Sequence, residues 1–181
     1  APTAAIATSA MAEFSFAGLP GLGGTLIAFA TWSVDSGSGL DDLFVAATTE
    51  GQIIVYQGTD PSSASTWSLV GVYQADRPKN NRCFQKFGAD LYFLTETGIY
   101  SLAKLLREDA RAATISRLVR PEFISRSAGT TATLGWQIFQ YPEKGWILAN
   151  TPLSSNRYHQ IVQNTTASGP EEGWCFFEDM D

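Results

Sequence analysis

Hydrophobic and polar positions alternate in short runs along most of the chain, and Gly, Asp, Asn or Pro bounds each run, the pattern of hairpin-linked strands. Leu43–Ala47 and Gln52–Tyr56 flank Thr48-Thr-Glu-Gly51, where glycine supplies the positive φ that turns the chain back. Thr66–Tyr73 alternates as a third strand returning onto that pair. The same grammar recurs in Arg82–Lys86, Leu91–Leu94 and Ile99–Leu102, joined by Phe87-Gly-Ala-Asp90 and Thr95-Glu-Thr-Gly98. A third meander follows in Trp136–Tyr141, Trp146–Ala149, Tyr158–Val162 and Trp174–Phe177.

Asp42-Leu-Phe-Val and Asp90-Leu-Tyr-Phe each precede a Thr/Glu/Gly turn, at an offset of 90 − 42 = 48 residues. Repeats of roughly 40–50 residues built from antiparallel strands point to propeller blades, in which each small sheet buries its faces by stacking on its neighbours. Between the second and third meanders, Ala103 to Leu134 is rich in Ala, Leu and Arg and has no Gly or Pro before Pro121. It predicts a helix with a stripe of Leu102, Leu106, Ala110 and Ala113, and a further helical turn or two after Pro121. The expected class is therefore mainly β, antiparallel meanders forming propeller-like blades with one helical insert at about 103–133. The expected organisation is a tail or linker over 1–30, two meanders over 31–102, the insert over 103–134 and the third meander over 135–181. Closing a propeller takes at least about four blades, so the missing ones must come from other sequence or another chain. The opening on Ala1 and the close after the apolar run Trp174–Phe177 read as a piece of a longer polypeptide.

Composition narrows the function classes. At 181 residues and 44% hydrophobic, the chain can bury a core without staples. Charged residues are 17%, below the roughly 25% usual for soluble domains, so Ser, Thr, Gln and Asn must carry much of the surface. Lys plus Arg is 12 against Asp plus Glu 18, a net charge of −6, which argues against a free-standing nucleic-acid binder. Cys83, Cys175 and His159 are too few for a Cys/His zinc site or a disulfide framework, and two thiols suit a reducing compartment. No run approaches the roughly 18 apolar residues of a membrane helix, and the first charge, Glu13, leaves no basic leader region.

Candidate chemistry is sparse. Asp35 to Asp42 lacks the oxygen spacing of a calcium loop and reads as an Asx-rich turn. Gly21-Leu-Gly-Gly-Thr25 has no following Gly-Lys-Ser/Thr and reads as linker. His159 has no nucleophile elbow to serve, and the carboxylate pairs Glu171/Glu172 and Glu178/Asp179 read as solvated charge, so neither catalytic residues nor a cofactor or metal is expected. Lys104, Arg107, Arg111, Arg117, Arg120 and Arg126 hold half of the 12 cations. Arg107 and Arg111, four apart on a helix, would share a face. Arg107, Arg111 and Arg117 form a candidate subunit interface, with an acidic neighbour favoured over nucleic acid and an ordinary solvated helix face as the alternative. The five tryptophans, Trp32, Trp67, Trp136, Trp146 and Trp174, fall in strand contexts, where core packing and sugar stacking use the same ring.

Thr31–Val45, Val55-Tyr-Gln-Gly-Thr-Asp-Pro61, Thr66–Tyr73, Ala89–Gly98, Asn150-Thr-Pro-Leu153 and Gly173-Trp-Cys-Phe176 together resemble the tail hub, or nozzle, proteins of short-tailed bacteriophages, also described as head-to-tail stabilisation proteins. The resemblance covers roughly Thr31 to Phe177. It implies a virion structural protein without enzymatic activity or cofactor, assembled in the host cytoplasm as a ring of copies of itself, six-fold in the family. The partners it implies are portal and adaptor proteins above, other tail proteins or fibres, and DNA passing through the lumen without specific binding or any membrane contact. The competing expectation from the residues alone is a carbohydrate-binding β-propeller module with exposed tryptophans, and behind it a glycosidase on the same scaffold.

Overall fold

The computed structural model describes residues 14–35, 40–58, 60–62, 65–129, 135–154, 157–167 and 172–180. The protein is mainly β, with three antiparallel sheets that each follow chain order. The first sheet holds β1 (Leu26–Asp35), β2 (Leu40–Thr48), β3 (Gln52–Gly58) and β4 (Trp67–Gln74). The second holds β5 (Phe84–Phe87), β6 (Asp90–Thr95) and β7 (Gly98–Ser101). The third holds β8 (Gln137–Tyr141), β9 (Trp146–Ser154), β10 (Arg157–Asn164) and β11 (Trp174–Met180). Every strand read from the alternation is present, and the turns at Gly51 and Gly98 take φ of 80° and 150° as a reversal at glycine requires. Asp42 lies in β2 and Asp90 begins β6, so the 48-residue offset relates the second strands of two successive meanders.

The boundary of the first sheet differs from the sequence reading. β1 begins at Leu26, so five residues assigned to the linker belong to the first sheet, where Ala28 to Ala30 pair with Ala47 to Val45. Upstream, Phe14 to Thr25 packs on that sheet: the Leu22 amide donates to Gln52 Oε1 (2.8 Å) and Thr25 and Thr49 exchange hydrogen bonds. Residues 1–13 of the expected tail and Ser36 to Gly39 of the expected Asx turn lie outside the described residues.

The insert is helical but not one helix. α1 (Leu102–Leu105) starts under a Ser101 cap, and α2 (Ala110–Ala113) starts under Asp109, whose carboxylate accepts the Ala112 amide at 2.8 Å. A 3-10 turn (Arg117–Val119) leads into α3 (Arg120–Gly129), in which Pro121 sits in the first turn where its missing N–H costs nothing. Pro121 therefore opens the longest helix, and the Ala/Leu/Arg-rich stretch before it is broken at Arg107 to Asp109. The expected single stripe divides accordingly: Leu102 and Ala113 are buried, Leu106 and Ala110 are only partly so, and Leu105, outside the expected stripe, is buried. Residues 130–134 of the insert lie outside the described residues.

The break has a cause in the second sheet. Thr114 forms an isolated antiparallel bridge with Tyr100, the Ile115 amide donates to the Ile99 carbonyl (3.0 Å), and the Ile99 amide donates to Ser116 Oγ (2.8 Å). Residues 114–116 thus stand where a fourth strand would lie beside β7, and the helices fold around that pin.

One core joins all three sheets. The second sheet is buried on both sides: Leu91 and Phe93 fill one face, and Leu94 and Ile99 the other, within the cluster that also takes Trp32, Val45 and Val55 of the first sheet and Ile138, Ile147 and Ile161 of the third. The first strands of the sheets lie side by side, β1 touching β5 and β5 touching β8. Trp32 Nε1 donates to the Ala89 carbonyl (2.9 Å), and the Ile138 amide donates to the Arg82 carbonyl (3.3 Å), so a hydrogen bond crosses each junction.

Candidate functional site

The first sheet has a second apolar face directed away from this core. Ala46, Ile54 and Tyr56 are buried there beneath Phe16, Leu19, Phe44 and Trp67. Strand alternation produces the arrangement, because Phe44 and Tyr56 are paired across β2 and β3 while Val45 and Val55, one residue on, face the core. Trp67 stacks on Tyr56 with centroids 5.3 Å apart, Phe14 meets both rings edge-on, and Phe16 stacks on Phe44. The face is incompletely covered, since Phe29, beside Phe44 at 6.0 Å, is 68% exposed.

The arginines separate into two places. Arg111, Arg117 and Arg120 line one cleft of about 400 Å³ together with Asp76, Tyr100, Ala110 and Thr114. The bridge at Thr114 brings them together, because Arg111 precedes it by three residues, Arg117 follows it by three, and Arg120 opens α3. Asp76 is the anionic member. It accepts the Tyr100 hydroxyl at 2.6 Å and that of Thr97, and lies 3.5 Å from Arg120. Burial raises the Tyr100 hydroxyl's pKa above its ordinary value, and the hydrogen bond to Asp76 adds to that. Arg107 is elsewhere, in a smaller recess with Trp32, Leu43, Gln57, Val70, Ala103 and Leu106. The shared face expected for Arg107 and Arg111 required one continuous helix, and the chain between them is not helical. Arg120, part of the cation-rich segment but not of the candidate interface, joins the cleft, and Asp76 completes it unforeseen; its signal in the sequence is its place in Ala75-Asp-Arg-Pro78, directly after a strand.

A third recess collects Glu122, Ser125, Arg126, Thr151, His159 and Glu178. Its contacts are those of a structural corner. Arg126 pairs with Glu122 (2.6 Å), donates to Thr151 Oγ1 (3.1 Å) and covers the Phe176 ring at 5.7 Å, which fixes α3 against the third sheet. Thr151 Oγ1 donates in turn to the His159 carbonyl. Among the described residues, no three His, Cys, Asp or Glu side chains gather as a metal set. The tryptophans expected on the alternative sugar-binding reading are turned to packing: Trp32 and Trp136 are buried, and Trp67, Trp146 and Trp174 are half-buried.

No known family model, curated protein or solved structure matches the chain.

Proposed function

We propose that the chain is part of a virion structural protein, a tail hub or nozzle subunit that forms a ring continuing the DNA conduit of a short-tailed phage. The observation carrying this reading is the layering: a middle meander buried on both faces between two others, with the first strand of each beside that of the next. Successive propeller blades stack in this way, each first strand lining the central axis. Three meanders do not close such a ring, and the partly covered aromatic face at Phe29 and Phe44 suits a further blade or subunit stacking there. A net charge of −6 suits a passage for DNA, because a wall of phosphate-binding cations would retard a moving duplex.

Negative-stain imaging with class averaging tests the reading on the purified protein, alone and with candidate adaptor rings. Rotationally symmetric rings or tail-shaped assemblies, weakened by Phe29→Asp, support it. Monomers under both conditions remove it, and glycan screening then addresses the sugar-binding alternative.

A further inference from the structure

We propose that the cleft lined by Arg111, Arg117 and Arg120 is a docking site for an acidic, partly apolar polypeptide segment, and that Asp76 occupies part of it in the free protein. This stands independently of the ring reading.

Charge is the first consideration. Three of the 12 cations converge on one cleft of a chain with net charge −6, against one lining carboxylate. Each guanidinium presents its N–H donors in a planar fork that matches a carboxylate, and Arg120 reaches Asp76 only at 3.5 Å. Asp76 shows which chemistry the cleft accepts: its carboxylate is held by the Tyr100 and Thr97 hydroxyls and faces Arg120 at 3.5 Å, too long for a close bidentate pair. A stronger carboxylate partner can take Arg120 while Asp76 keeps its two hydroxyl donors.

Surroundings select polypeptide over nucleic acid. Tyr100, the aromatic residue lining the cleft, is buried with its hydroxyl engaged, so it offers no face for a base. Leu118 follows Arg117 and is 62% exposed, an apolar contact that an acidic peptide with hydrophobic residues can use.

Fluorescence anisotropy tests the proposal with three labelled probes: a peptide alternating Glu and Leu, its Lys and Leu counterpart, and an oligothymidylate of the same charge as the acidic peptide. The acidic peptide is expected to bind most tightly and to weaken as salt rises. R111E/R117E is expected to weaken it about ten-fold or more, and Asp76→Asn to tighten it about three-fold by releasing Arg120. Arg111 and Arg117 are exposed, and R111Q/R117Q serves as a second variant should charge reversal disturb folding. An absence of acidic-peptide binding, equal binding by the double variants with unchanged melting, or tighter binding of the oligothymidylate would each overturn the proposal.

Discussion

Tyr100 donates its hydroxyl to Asp76 at 2.6 Å, tying the middle sheet to the segment that leaves the first. Asp76 also faces Arg120 at the start of α3, so one carboxylate joins three parts of the chain. Tyr100→Phe removes a donor to a partly buried carboxylate and is expected to cost about 1–2 kcal/mol, read as a lower urea midpoint with an unchanged slope. An unchanged midpoint would show that the Thr97 hydroxyl alone satisfies Asp76.

Gly51 turns β2 into β3 with φ +80°, and a Cβ there would stand 2.5 Å from the Ala75 carbonyl oxygen and 2.6 Å from that of Asp76. Both obstacles are backbone and cannot rotate aside. Gly51→Ala is expected to destabilise by about 2 kcal/mol or more, whereas Gly88→Ala, at φ +57° with nothing within 4 Å, pays only the conformational strain of about 1 kcal/mol. Thermal melts of the two variants make the comparison.

Phe123 is completely buried and anchors α3, while its neighbour Ile124 is 45% exposed. Phe123→Ala is expected to cost about 3–5 kcal/mol and to raise amide exchange through α3, with Ile124→Ala near neutral. Similar losses at the two positions would mean that α3 is not held by this contact.

Cys83 is buried and Cys175 exposed. Burial pushes the Cys83 thiol up to about 12 from 9.0, and burial followed by the Asp90 charge pushes the Tyr92 hydroxyl up to about 12 from 10.0. Both groups therefore ionise first in the unfolded chain. Their contribution to stability is complete below about pH 9 and declines as pH climbs toward about 12. Urea midpoints should fall over that range, and by less in Cys83→Ala once its own loss at neutral pH is subtracted. Thiol labelling at neutral pH should modify Cys175 quickly and Cys83 only on unfolding.

The strands were legible because each carries its own signal: alternation for the half-buried ones, and apolar runs such as Ile53-Ile-Val55 for those buried on both faces. The start of β1 was hidden by the Gly-rich stretch before it, whose role is to lie across the first sheet. The helical character of the insert is legible in its Ala, Leu and Arg, but its division is not, because helix propensity is local whereas Thr114 and Ile115 pair with β7. For the same reason Arg107 stands in a different recess from Arg111. Arg111 and Arg117 were visible as surplus charge, but Asp76 lies 35 residues before Arg111 and meets the cluster only once the middle sheet has formed.

Because hydrogen-bonded strands follow one another in the chain, each sheet can complete itself as soon as its own residues have been synthesised. The first sheet would leave the ribosome with Trp32, Val45 and Val55 still uncovered, awaiting the second. The Gly-punctuated segment at Phe14 to Thr25, already made by then, covers part of the opposite side through Phe16 and Leu19. It acts as a built-in escort for a nascent sheet, covering Ala46, Ile54 and Tyr56 during the interval when the rest of the layers do not yet exist.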